Sequence, residues 1–207
     1  MMSVVAPETE SSEAYLTLRM NPAIKLTDDQ FFELCQINRD LRLERTSKGD
    51  IIIMAPAGGE TSTRNSSITG QLYYWTKRDG TGIAFDSSAG FKLPNGAERS
   101  PDAAWVSHKR LAQLTPAQKK KFIPLCPDFV VELLSPTDSL IVTQAKLVEY
   151  MENGARLGWL IHADARKIYV YRPDNPVEEL NDVTEISADP ELSGFVLDLH
   201  DIWEPNI

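Results

Sequence analysis

The sequence predicts a domain of mixed α/β (α+β) class, in which a mixed β-sheet is flanked by helices and preceded by an N-terminal helix and β-hairpins. Three features indicate this: a helix-capping pattern at Thr27–Gln30, an amphipathic stretch over residues 60–78, and the apolar run Phe129–Leu134, typical of a doubly buried strand. The chain has 207 residues with ordinary hydrophobic (42%) and charged (25%) fractions, and no repeat or linker divides it. We therefore expect one domain over residues 21–207, preceded by a flexible acidic arm at residues 1–20.

The first helix begins at the capping pattern and would bury Phe31, Leu34 and Cys35 on one stripe. After it, Leu41–Arg45 alternates between apolar and charged residues, a Lys-Gly-Asp turn follows, and Ile51–Met54 continues the apolar pattern. This arrangement predicts a β-hairpin.

The second helix has Ile68, Leu72 and Trp75 at positions i, i+4 and i+7, which define its buried stripe. Continuing that stripe towards the N-terminus reaches Arg64 and then Glu60. We therefore expect the Glu60 carboxylate to face inward from the first turn of this helix.

Short strands are then predicted in series, at Gly82–Asp86, Gly90–Leu93, Ala103–Val106 and Phe129–Leu134. A third helix is expected over residues 139–153, with Ile141, Ala145 and Val148 on its buried stripe. Residues 159–161 and 168–171 form a further hairpin, and an acidic segment and a final apolar stretch complete the sequence.

The net charge of −9 weighs against a polyanionic partner, but the acids are unevenly distributed. Residues 1–13 contain three acids and no base, and residues 174–194 contain seven acids and no base. Without these ten acids the rest of the chain carries about +1, so composition permits DNA binding without favouring it. Basic clusters at residues 108–110 and 119–121 could contact phosphates, although a solvated surface is the commoner role.

The sequence shows no membrane helix and no secretory signal, which predicts a protein of the cytoplasm. No apolar run approaches the roughly 18 residues of a membrane helix, and residues 1–15 lack the pattern of a secretory signal. Cys35 and Cys126 stand far apart without a second pair, which excludes a disulfide framework and a cysteine zinc site. Two reduced thiols are expected.

Glu132 is the first candidate for chemistry, because it interrupts an otherwise apolar strand. A carboxylate is costly to bury unless it is paired or binds a metal. Pairing with an arginine or lysine is the ordinary alternative, but buried ionisable groups also cluster at functional sites.

Asp102 and Lys146 are the next candidates, because of where they lie relative to the Glu132 strand. Asp102 begins the preceding strand, and although Pro-Asp alone is usually a turn, carboxylates from adjacent strands can converge on a hard cation such as Mg²⁺. Lys146 lies on the helix that follows. An exposed helical lysine is the commoner case, yet its charge beside two acids would suit stabilisation of a pentacovalent phosphate or activation of water.

Other kinds of site are disfavoured. The sequence has neither a G-x-x-x-x-G-K-[ST] loop nor a G-x-S-x-G elbow. His108, His162 and His200 show no metal-ligand spacing. A nucleophilic triad and a zinc site are therefore not expected.

Several motifs, in order, resemble the Uma2 family of restriction endonucleases, also called DUF820. They are Asp86–Gly96 (DSSAGFKLPNG), Arg99–Trp105 (RSPDAAW), Val131–Pro136 (VELLSP), Lys146–Tyr150 (KLVEY) and Gly158–Ile161 (GWLI). The resemblance extends over about residues 22–203 and implies the restriction-endonuclease-like core of the PD-(D/E)XK nuclease superfamily. The activity that it implies is metal-dependent hydrolysis of DNA phosphodiester bonds.

The resemblance also assigns residues. Pro101-Asp102 matches the PD, and Glu132 matches the following acid. Leu134 stands where the lysine of E-x-K would be, and Lys146 matches a lysine that this family carries on a helix instead.

Further assignments rest on the same resemblance. Glu60 matches an acid on the leading helix, and Gln144 is a weaker candidate. Asp102, Glu132 and the backbone carbonyl of Leu133 would hold Mg²⁺ or Mn²⁺, with no small-molecule cofactor. A homodimer is expected because cutting both strands of DNA requires two sites.

The alternative is a catalytically inactive or partner-dependent module of the same fold that binds nucleic acid or protein. The leucine at position 134 and the acidic net charge motivate it. It predicts no cleavage and salt-dependent DNA binding through Lys119–Lys121.

Overall fold

The computed structural model describes residues 15–207, and the first fourteen residues of the predicted arm lie outside this range. Within it, the strands are β1 Tyr15–Leu18, β2 Arg42–Arg45, β3 Ile51–Met54, β4 Gly82–Asp86, β5 Phe91–Lys92, β6 Glu98–Arg99, β7 Ala103–Ser107, β8 Phe129–Leu133, β9 Leu157–His162, β10 Lys167–Tyr171, β11 Glu178–Asn181, β12 Glu185–Ser187 and β13 Val196–Asp198. The α-helices are α1 Asp28–Ile37, α2 Gly59–Asp79, α3 His108–Leu111, α4 Leu140–Glu152 and α5 His200–Trp203.

A six-stranded sheet forms the centre of the molecule, in the order β11-β10-β9-β8-β7-β4. β8 and β9 are parallel, and the other neighbouring strands are antiparallel. All five residues of β8 are buried, as its apolar run predicts. The predicted fold class, a mixed sheet flanked by helices, is confirmed.

The two faces of this sheet pack against different layers, because successive strand residues point to opposite sides. One face carries Val131 and Leu133 and packs against α2, α5 and the small β12-β13 sheet. The other face carries Val130 and packs against Leu147 and Tyr150 of α4. Glu132 has the same parity as Val130 and therefore points to the α4 side.

A second, antiparallel sheet has the order β1-β3-β2-β6-β5. The capping box of α1 forms as predicted, and Phe31 packs against Leu43 and Ile51 on one face of this sheet. On β2, Leu43 and Arg45 point towards α1, so Arg42 and Glu44 point to the opposite side.

One predicted boundary is wrong, and one short strand next to the site was missed. Residues 15–20 were expected to belong to the flexible arm, but β1 pairs with β3 along the edge of the second sheet. Its Leu16 and Leu18 are exposed, so the strand has no burial pattern that a sequence would display. β6 was not predicted either, although β5, which has the same length, was.

The predicted buried stripe of α4 is wrong as well. Ile141 is 78% exposed and Val148 is 44% exposed, whereas Leu147 and Tyr150 are fully buried. The helix is rotated so that the aromatic ring of Tyr150 and the longer Leu147 fill the space above the central sheet. This rotation also turns Lys146 inward, with 15% of its side chain exposed.

Candidate active site

An open cleft of about 1170 Å³ lies where the two sheets and α4 meet. β2 lines one side of the cleft, and the end of β8 together with α4 lines another. The beginning of α2 lines the rim. Its charged lining residues near the centre are Arg42, Glu44, Arg99, Asp102, Glu132, Lys146 and Glu149. The sequence-predicted trio of Asp102, Glu132 and Lys146 thus lies in one cleft.

Glu132 is 6% exposed near the end of β8. Its Oε1 lies 2.9 Å from Lys146 Nζ and accepts a hydrogen bond from the Tyr150 hydroxyl at 3.0 Å. Lys146 and Tyr150 are one helical turn apart, which brings both side chains to the same carboxylate. The carboxylate is therefore paired, as its burial requires.

Asp102 stands just before β7 and is 8% exposed. Its Oδ2 accepts a hydrogen bond from the backbone N–H of Leu133 at 2.9 Å, which fixes it beside the residue that follows Glu132. Its Oδ1 lies 3.4 Å from nitrogen atoms of Arg42 and Asn65, longer contacts that leave this oxygen weakly held.

The backbone carbonyl of Leu133 points to the Asp102 side, because the N–H and C=O of one strand residue point in the same direction. The register that pairs Ala103 with Val131 places Pro101 opposite Leu133. Proline has no backbone N–H and cannot donate to that carbonyl. Pro101 therefore leaves this carbonyl without the hydrogen bond that the register would otherwise supply from that position.

Glu44 is the main residue of the cleft that the sequence analysis missed. It is 2% exposed, and its Oε1 accepts hydrogen bonds from Lys146 Nζ and from the backbone N–H of Ser100, both at 2.9 Å. Its Oε2 lies 3.1 Å from Arg99 Nη1. The sequence offered one signal: Arg42 and Glu44 stand two residues apart on β2 and therefore share one face of that strand.

Two arginines, Arg99 and Arg42, lie beside the acids of the cleft. Arg99 Nε lies 2.7 Å from Glu149 Oε2 on α4, and Arg42 Nη2 donates to the Ser100 carbonyl at 2.7 Å. The neighbouring acids raise the pKa of both arginines above their ordinary value even though burial lowers it.

The two glutamates bonded to Lys146 have opposite pKa shifts. Burial raises the pKa of Glu132 to about 7, with Asp102 and Glu44 adding to the rise and Lys146 opposing it. Burial acts the same way on Glu44, but Lys146, Arg99 and the Ser100 N–H outweigh it and lower its pKa to about 2. Burial would lower the pKa of Lys146, yet the two glutamates raise it, so the lysine stays cationic.

The remaining predicted residues lie at the rim or outside the cleft. Glu60 does not face inward as expected: its side chain is 61% exposed and lies 3.6 Å from Arg64 Nη2. Arg64 occupies the inward direction instead, donating to the Ile202 carbonyl. Glu60 lines the cleft at its rim, whereas Gln144 does not line it.

The basic clusters lie away from this cleft. Residues 108–110 and 119–121 do not line it. Arg110 pairs with Asp128, and Lys121 pairs with Asp29. Both cysteines in the described chain are free thiols, as expected.

Within residues 15–207, no group of three histidine, cysteine, aspartate or glutamate side chains is placed to hold a metal ion without rearrangement. The oxygen donors that are present still fit a hard divalent cation in kind: the carboxylates of Asp102 and Glu132 and the backbone carbonyl of Leu133. Burial is the main reason that the pKa of Glu132 is raised, and the negative charges of Asp102 and Glu44 raise it further. A bound cation would offset those negative charges.

The sequence profile of the family described as "Uma2: Putative restriction endonuclease" matches residues 28–200. The chain belongs to this family. The residues of the cleft centre, from Arg42 to Glu149, all fall within the part of the chain that matches Uma2.

The fold is similar to that of a solved structure described as "a putative nuclease belonging to DUF820 from Anabaena variabilis ATCC 29413". The TM-score is 0.70 at 22% identity, over 86% of this Uma2 chain and 97% of that chain. No curated protein matches the sequence. The family supports a nuclease-like function, and the solved structure supports the fold. None of the helices in residues 15–207 is long and apolar enough to cross a membrane.

Proposed function

We propose that this chain is a metal-dependent DNA endonuclease of the PD-(D/E)XK type whose lysine is displaced from the strand to α4. The observation that supports this best is the 2.9 Å contact between Lys146 Nζ and Glu132 Oε1. In the E-x-K pattern this carboxylate would be accompanied by a lysine two residues later on the strand. Here a lysine on the helix contacts it instead. Asp102, bonded to the backbone of Leu133, completes the arrangement.

Asp102, Glu132 and the Leu133 carbonyl are the proposed ligands of Mg²⁺ or Mn²⁺, and Glu60 at the rim is a further acid that could support them. When bound, such a cation polarises the phosphate and lowers the pKa of a coordinated water.

The chain's own residues supply position and charge. Tyr150 and Lys146 hold the Glu132 carboxylate in one orientation through Oε1. Because the pKa of Lys146 is raised, its ammonium acts as a donor that stabilises negative charge developing on the phosphate, rather than as a base.

Of the two arginines that lie beside the proposed ligands, Arg42 is the better placed to contact substrate. About a third of its side chain (35%) is exposed in the cleft, compared with 10% for Arg99. Its contacts to Asp102 are long, so a phosphate could compete for the guanidinium. A homodimer that carries two sites, as cutting both strands of DNA would require, is also part of the proposal.

The test is plasmid nicking by the purified protein with Mg²⁺, with Mn²⁺ and with chelator. Cleavage with metal, none with chelator, and loss in both Asp102→Asn and Glu132→Gln are expected. His162→Gln, on β9 outside the cleft lining, is the matched control and should cut like wild type. Cutting at the wild-type rate by both cleft variants would show that the site is elsewhere.

The alternative, a binding module without cleavage, is favoured by one observation. The ammonium of Lys146 contacts two carboxylates and is not free. That alternative predicts no nicking under any metal condition, together with DNA binding that weakens as salt concentration rises.

A further inference from the structure

We propose that Glu44, on β2 of the second sheet, is a positioning residue that holds the ammonium of Lys146 against Glu132. This inference rests on the proposed function for its effect on catalysis. Its structural part, the control of Lys146 by Glu44, can be tested without any cleavage.

Lys146 Nζ lies between two carboxylates. Glu44 Oε1 and Glu132 Oε1 each lie 2.9 Å from it. A lysine side chain has four rotatable carbon–carbon bonds, and a single ion pair does not confine its point charge to one position. Two carboxylates from two different sheets confine it between them.

Glu44 is itself held in place by bonds to both of its carboxylate oxygens. Ser100 N–H and Arg99 Nη1 bond its two oxygens at 2.9 Å and 3.1 Å. Arg99 then bonds Glu149 at 2.7 Å, and Glu149 lies on α4 three residues after Lys146. Glu44 therefore connects to α4 by two routes, directly through Lys146 and indirectly through Arg99.

Glu44 is also connected to Asp102, the other carboxylate proposed as a metal ligand. Ser100 stands two residues before Asp102, so the hydrogen bond to Glu44 also anchors the backbone that leads to that carboxylate. One buried side chain thus contacts the lysine and the segment carrying Asp102. The second sheet is therefore part of the site rather than a separate layer.

The test compares Glu44→Gln with Glu98→Gln. Glu98 is a suitable control because it is also buried (3% exposed), also pairs with an arginine (Arg45, 2.9 Å), and does not line the cleft. Glutamine keeps the size of the side chain and an acceptor for Ser100 N–H, but it removes the charge that holds the ammonium.

Two readouts are measured on the full chain. The first is the rate at which N-hydroxysuccinimidyl acetate acetylates Lys146, followed by peptide mass spectrometry without metal. We expect a rise of about 10- to 100-fold in Glu44→Gln, as the loss of one charge-assisted hydrogen bond implies, and no such rise in Glu98→Gln. The second is cleavage: kcat should fall by about tenfold or more, with KM within about twofold.

Equal acetylation of Lys146 in Glu44→Gln and Glu98→Gln would overturn the proposal, whether or not the protein cuts DNA. A wild-type protein that never cuts would instead refute the proposed function, and the acetylation rates would still decide the role of Glu44. If Glu44→Gln fails to fold, Glu44→Asp retains the charge but withdraws it by one methylene. An intermediate acetylation rate supports positioning, and an unchanged rate contradicts it.

Discussion

Replacing Glu132 by glutamine should stabilise the folded protein at neutral and alkaline pH while abolishing any metal-dependent cleavage. The reason is that Glu132 is buried among other acids, which raises its pKa from 4.5 to about 7. Glutamine resembles the protonated acid in shape and in hydrogen bonding to Tyr150, but it never has to carry a buried charge.

The size of the effect follows from proton linkage. Below pH 4.5, the ordinary pKa that the unfolded chain retains, both states hold the proton and Glu132 contributes no difference. As the pH rises to about 7 the unfolded state loses the proton first, so wild type is progressively destabilised. At about 1.4 kcal/mol per pKa unit the penalty reaches about 3 kcal/mol and is constant above that pH.

The assay is urea unfolding of wild type and Glu132→Gln at about pH 4 and about pH 8, in buffer with chelator. The variant should match wild type at the lower pH and exceed it by about 3 kcal/mol at the higher pH. If the difference in unfolding free energy between wild type and Glu132→Gln does not change with pH, the proposed effect of burying the Glu132 charge is refuted. It is also refuted if wild type is the more stable at the higher pH, which would mean that Lys146 outweighs burial.

Three further substitutions test the fold around the site. Gly82→Ala should destabilise the protein by about 1–3 kcal/mol in urea unfolding, because the new Cβ would lie 2.3 Å from the Trp105 ring. Gly70→Ala should raise the unfolding free energy by up to about 1 kcal/mol, since nothing lies within 4 Å of its Cβ position and alanine favours the α2 helix; a loss would contradict this packing. Thr27→Ala should cost about 1 kcal/mol by removing the cap to the Gln30 N–H, and the variant Thr27→Ser, which keeps that cap, should cost less.

Two residues of the candidate site could be predicted from the strands on which, or next to which, they lie. Glu132 was identifiable because a single acid in an apolar run needs a partner, and β8 is buried throughout. Asp102 was identifiable because its strand adjoins β8. Lys146 depended on family resemblance, since the apolar pattern of α4 suggested a different buried face.

The partners of these residues could not be predicted in the same way, because they come from distant parts of the chain. Glu44 stands 102 residues before Lys146, and Arg42 stands 60 residues before Asp102. Local periodicity places a residue on one face of a strand but does not say which layer meets that face. The inward orientation predicted for Glu60 failed for a related reason: Arg64, one turn later, occupies the inward direction and bonds the Ile202 carbonyl.

Because Lys146 lies on α4 rather than on β8, the packing of this helix affects the geometry of the candidate site. Leu134 shares the α4-facing side of the sheet with Glu132 and is buried (8% exposed) in the cluster that contains Leu147 and Tyr150. A lysine at position 134 would have to bury its stem in that packed layer. In the proposed mechanism the positive charge comes instead from Lys146 on α4. In the E-x-K arrangement, strand geometry alone fixes the distance from lysine to acid. In this chain the packing of Leu147 and Tyr150 against the sheet sets that distance, so core substitutions beneath α4 should alter the site even though they contact no substrate.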